Sequence, residues 1–144
     1  MSFVIDPSGP GAFAGHSPTD LAALILRLTL GALFIAHIYW KCVLLDGGFA
    51  AWWARFRMNG YHSFVPYYVV SAELLGATLL IPGIHTSLVC LYALPLMLGA
   101  AHFWLVRTGF FFTTAGAELP LVWTVMLLVQ ALLGDGAYAL GPIR

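Results

Sequence analysis

The stretch Val65-Pro66-Tyr67-Tyr68-Val69-Val70-Ser71-Ala72-Glu73-Leu74-Leu75-Gly76-Ala77-Thr78-Leu79-Leu80-Ile81 holds a single charged side chain, at its middle. As a helix it would be about 25 Å long at 1.5 Å per residue, enough to cross most of a bilayer's hydrocarbon core. A charged side chain at mid-membrane costs about 2.5–3.5 kcal/mol on insertion scales. Glu73 is therefore either protonated there or met by something polar inside the protein. Both outcomes point to a site.

The rest of the chain shares that preference for lipid. Of its 144 residues, 61% are hydrophobic and 8% charged, and the mean hydropathy is +0.91. Soluble domains carry about 25% charged residues because they must face water. This chain cannot cover itself that way, so the bilayer has to cover it. Six basic and six acidic residues balance, and nothing in the charge suggests nucleic acid or an acidic partner.

The fold class that follows is all-α: an integral membrane four-helix bundle in one domain, residues 19–144, after a Gly-, Ser- and Pro-rich tail over 1–18. The tail has no basic stretch of the secretory kind and is expected to be loosely ordered. Spans are predicted at about 21–45, 65–81, 86–106 and 119–133. The first and third have the length a crossing needs. The second and fourth are short, and should extend by a turn or thin the bilayer. Ser17, Pro18, Thr19 and Asp20 offer N-cap chemistry for the first span. Pro82-Gly83 and Gly134-Asp135-Gly136 end the second and fourth. Pro95 lies inside the third, where it removes a backbone hydrogen bond and predicts a kink.

Between the first two spans, Gly48 to Met58 reads as a short amphipathic helix at the membrane surface. Phe49, Trp52, Trp53 and Phe56 face the apolar side, and Arg55 and Arg57 reach for headgroups. It serves either as an anchor or as a lid over the bundle mouth. Short connections favour up-down-up-down topology. Lys41, Arg55, Arg57 and Arg107 then lie at one face, against Arg27 and Arg144 at the other, and the positive-inside tendency places both termini outside.

That topology sets His37, Lys41, His102, Arg107 and Glu118 at similar depth, with Glu73 beneath them. Within span one, Arg27, Phe34, His37 and Lys41 share a stripe of about 80° at 100° per residue. The polar side chains are thus expected to converge on one end of the bundle. Each also has a plainer reading. Arg27, Lys41 and Arg107 can snorkel to an interface. His37 and His102 can be interior histidines with ordinary hydrogen bonds, and Glu118 can charge-match the start of span four. For Glu73 the plainer reading is an ion pair with Arg27, Lys41 or a histidine. The small-xxx-small pairs Ala72/Gly76 and Glu73/Ala77, and Gly99-Ala100-Ala101, let helices approach closely or leave room for a flat ligand.

Several chemistries are set aside. Cys42 and Cys90 fall at opposite membrane ends, beyond the 7 Å Cα limit for a disulfide, and no Cys-x-x-Cys occurs. There is no His-x-x-x-His, no carboxylate-rich helix and no Gly-rich phosphate loop, so no metal site is expected. A haem between His37 and His102 is geometrically conceivable but not favoured.

Leu26-Arg27-Leu28, Leu30-Gly31, Phe34, His37 and Lys41 open the first span. Gly48-Phe49 with Trp52 and Trp53 follows, then Ala72-Glu73-Leu74-Leu75-Gly76 and Gly83…Thr86. His102, Gly109-Phe110-Phe111, Glu118-Leu119-Pro120 and Gly134-Asp135-Gly136-Ala137-Tyr138-Ala139-Leu140 complete an ordered set. That set resembles the DoxX family of small four-span bacterial membrane proteins, with Ser87 where the family often has a basic residue. The resemblance implies a multi-pass protein of the inner (cytoplasmic) membrane linked to redox systems, such as the quinone-reducing subunit of thiosulfate:quinone oxidoreductase.

Two functions are therefore expected. In the first, a quinone or similar amphipathic ligand sits at the bundle end. Glu73, His37 and His102 act on its carbonyls and protons, Arg27, Lys41, Glu118 and Trp104 bind it, and Tyr39, Trp40 and Phe110 to Phe112 help to wall the ring. In the second, the chain is a non-catalytic accessory that assembles or anchors a larger complex. Its partners would be the lipid bilayer and either other membrane subunits or further copies of itself. Transport is disfavoured by the lack of repeats and paired broken helices.

Overall fold

The computed structural model describes residues 17–141. Residues 1–16 and 142–144 lie outside it, and with them most of the tail. Ser17 and Pro18, assigned above to that tail, instead start the first helix, α1 (Pro18–Tyr39). Its entry is a capping box: Ser17 Oγ accepts from the Asp20 N–H at 3.2 Å, and Asp20 Oδ2 accepts from the Ser17 N–H at 3.0 Å. Pro18 opens the helix, where its missing N–H is no loss. At the far end α1 runs directly into a widened π-helical turn, Trp40–Leu44, so the continuous apolar helix is Pro18–Leu44.

Gly47 (φ +77°) and Gly48 (φ +58°) take the left-handed backbone that turns the chain into α2 (Gly48–Met58). Then come α3 (Phe64–Leu79), α4 (Thr86–Thr108), a 3₁₀ turn (Phe112–Thr114) and α5 (Glu118–Leu133). No strand occurs among the described residues. α1, α3, α4 and α5 pack as a ring, each against two neighbours. Side-chain register makes neighbours antiparallel. Gly31 meets Ile81, Gly76 meets Phe34 and Lys41 meets Glu73 between α1 and α3. Ser87 bonds the Ala131 carbonyl between α4 and α5.

The core is apolar: Leu30, Phe34, Leu80, Val89, Cys90, Ala93, Met97 and Leu127. Gly76 makes room there for a ring. A Cβ on it would stand 2.3 Å from Phe34 Cδ2, so the space expected for a flat ligand is filled by Phe34. Gly99 has nothing within 4 Å of where its Cβ would be. Pro95 leaves the Leu91 carbonyl without its helical N–H, and one residue on, the Tyr92 carbonyl accepts from Tyr68 Oη at 2.6 Å. Tyr68 thus ties α3 to α4 beside the interruption.

The outer faces are also apolar. Leu132 is 89% exposed and Val106 70%, so lipid or another protein must cover them. The continuous helix Pro18–Leu44 and α4 are long and apolar enough to cross a membrane. α3 and α5 do not gain the expected extra turn. Each has 16 residues, about 24 Å of helix, because Ser63 and Pro82 bound the one and Ala117 and Gly134 the other.

Candidate functional site

The acid that opened the sequence is 4% exposed and is met by Lys41, itself 5% exposed. The Lys41 ammonium donates to both Glu73 oxygens, the one ion pair among the described residues. Local structure explains the meeting. α3 runs antiparallel to α1, and the π-helical turn at Trp40–Leu44 faces Lys41 inward one level above Phe34 and Gly76. Turns of this type recur at functional sites. Trp52, buried on α2, closes the pair from above with its ring centroid 4.2 Å from Lys41 Nζ. An ammonium has three donors. Two go to the carboxylate and the indole face lies against the cation, so α2 covers the pair.

Removing one partner of such a pair typically costs about 3–5 kcal/mol, whereas replacing both with apolar groups can be neutral. A lysine and a glutamate kept together in an apolar ring are therefore not explained by stability. Chemically they offer a cationic donor beside a carboxylate, an arrangement suited to binding an oxygen-bearing ligand and exchanging a proton with it.

The other expected site residues do not join them. His37 is exposed; its Nδ1 lies 3.1 Å from the Leu33 carbonyl and its ring packs edge-on against Trp123 at 4.9 Å. His102 is exposed on α4, because the small residue Ala101 takes the inward position beside it. Trp104, 37% exposed, also faces outward, against Phe103. Glu118 Oε2 accepts from the Phe112 N–H at 3.0 Å and so holds the 3₁₀ turn. The 80° stripe on α1 thus buries Arg27, Phe34 and Lys41 but leaves His37 at its edge.

Arg27 belongs to a second polar cluster at the opposite end of the ring, which corrects the expectation of one convergence. It is 1% exposed and does not snorkel. Its Nη2 donates to the Tyr138 carbonyl and its guanidinium lies against Gly83, where a Cβ would stand 1.4 Å from Nη1. Asp135 Oδ1 accepts from both the N–H and the hydroxyl of Thr86 at 2.7 Å, and Asp20 Oδ1 accepts from the Ala137 N–H at 2.9 Å. Gln130 Nε2 donates to the Gly134 carbonyl at 2.8 Å. Buried Arg27 Nε, Arg27 Nη1 and Gln130 Oε1 have no hydrogen-bond partner among the described residues. Residues 134–141 are thereby strapped across the bundle end, with Ile84 paired to Gly141. The sequence signals for this cluster are Gln130 inside an apolar span and Asp135 between two glycines at the end of the fourth span.

The DoxX family model matches residues 22–108, more than half of the chain. The chain belongs to the DoxX family. The match contains Arg27, Lys41, Trp52 and Glu73, whereas Glu118 and Asp135 lie beyond its end. No curated protein and no solved structure matches this DoxX chain. Family membership and two helices long enough to span together indicate a membrane protein.

Proposed function

We propose that this DoxX chain crosses the membrane four times as a subunit of a quinone-linked redox system. It binds a quinone or similar amphipathic ligand where Lys41 and Glu73 meet beneath Trp52. The observation that carries the reading is the buried pair itself, closed by an aromatic lid. A quinone needs a donor at a carbonyl, a proton source and apolar walls. Lys41 supplies the donor, Glu73 holds or passes the proton, and the Trp52 indole occupies the place a quinone ring would take when α2 lifts. The electrons would come from a partner subunit. In this reading the short α3 and α5 span a locally thinned bilayer.

Replacing Glu73 with Gln tests the role. Binding of a short-chain quinone by the purified protein should weaken about tenfold or more. The double variant Lys41→Met with Glu73→Leu, which leaves no unpaired charge, should fold normally and also lose binding. Wild-type quinone affinity in the folded double variant overturns the assignment.

A second reading has its own support. His102 is exposed on an apolar helix face and has no hydrogen-bond partner among the described residues, which suits coverage by another subunit. An accessory role predicts co-purification in mild detergent as a discrete complex, disrupted by His102→Leu while Glu73→Gln leaves it intact.

A further inference from the structure

Beside α2, away from the Lys41–Glu73 pair, the structure holds a cleft of about 270 Å³ that the proposed function does not use. Its apolar walls include Trp53, Phe56, Tyr61 and Tyr67, with Trp53 and Tyr67 in edge-to-face contact at 4.6 Å. Its polar lining includes Arg57 and His62. The Arg57 guanidinium makes no ion pair among the described residues, and no residue from 47 to 72 is acidic. His62 Nδ1 accepts from the Phe64 N–H at 3.5 Å, which assigns the ring proton to Nε2 and leaves Nε2 free to donate. One fixed positive charge, a second donor and aromatic walls thus surround one opening with no negative charge to compete.

We infer that this cleft binds the phosphate headgroup of an anionic phospholipid. A planar guanidinium pairs with phosphate oxygens through two N–H groups, and His62 Nε2 donates to a third oxygen. The exposed rings of Tyr67 and Phe64 give the glycerol and upper acyl chain an apolar path along α3. Helices carrying tryptophan and arginine in this way lie at headgroup depth, where such a phosphate is found. The inference rests on the chain being membrane-embedded, and is independent of quinone binding.

The test compares delipidated full-length protein in neutral detergent with added phosphatidylglycerol or phosphatidylcholine, counting retained lipid by native mass spectrometry. Phosphatidylglycerol should be retained at least tenfold better, and Arg57→Gln should abolish that preference. Arg55→Gln, on the same helix but outside the cleft, should keep it. Glycerol phosphate at the same concentration should not displace the lipid. Equal retention of the two lipids, equal loss in both arginine variants, or displacement by glycerol phosphate would each overturn the inference; the last would mark a site for free phosphate. Quinone affinity should be unchanged in Arg57→Gln, so failure here and failure of the quinone reading are distinguishable.

Discussion

Glu73 and Lys41 lie thirty-two positions apart in sequence, and each is intolerable in lipid without the other. Lys41→Met alone should lower stability by about 3–5 kcal/mol because it strands a buried carboxylate. The paired change with Glu73→Leu should recover most of that loss. Thermal unfolding of the four members of the cycle in one detergent checks this, and additive losses would contradict it. Gly83 gives a second residue-scale prediction. Its φ is +77° and a Cβ would overlap the Arg27 guanidinium, so Gly83→Ala should destabilise by about 2 kcal/mol or more through backbone strain and overpacking together. A melting temperature within a degree of wild type would refute it. The sequence named Arg27, Lys41 and Glu73 as residues needing an explanation, but not which of them would touch.

Among the elements, the strap formed by residues 134–141 matters more than its lack of regular structure suggests. Asp135→Ala leaves the fully buried Thr86 without an acceptor for its N–H and its hydroxyl. The expected cost is about 1–3 kcal/mol, and it should appear as faster hydrogen exchange at the α4 N-terminus while the Lys41–Glu73 end stays protected. Loss of protection spread evenly over all helices would reject the idea of a local latch. On α3, Tyr68→Phe removes the bond to the Tyr92 carbonyl and should cost about 1 kcal/mol in the same unfolding measurement. Helix boundaries were legible to within a few residues, because caps, Pro82-Gly83 and Gly134 act locally. The π-helical turn was not, since nothing in Trp40–Leu44 departs from ordinary helical composition.

At the scale of the molecule, charge carries the prediction of orientation. Arg27 and Lys41 are both buried, so neither weighs on loop charge as an exposed residue would. Arg55, Arg57 and Arg107 remain exposed at the α2 face, a clearer bias than the raw count. A reporter fused after Arg144 is therefore expected to read as outside the cytoplasm. A cytoplasmic reading of that reporter would reverse the orientation. The antiparallel ring separates the two polar clusters, one under α2 and one under the strap.

Composition, hydropathy and caps act between a residue and its solvent or its near neighbours along the chain. From these alone the sequence determined an all-helical membrane protein, four apolar helices with a fifth between the first two, the family, and an acid that had to be answered. Which groups answer it depends on how the helices rotate against one another, and that is decided by packing between residues far apart in sequence: Phe34 in the space left by Gly76, Gly31 against Ile81, and Ala101 turned inward beside His102. Those contacts brought Lys41 to Glu73, turned both histidines outward, and sent Arg27 to the other end of the bundle.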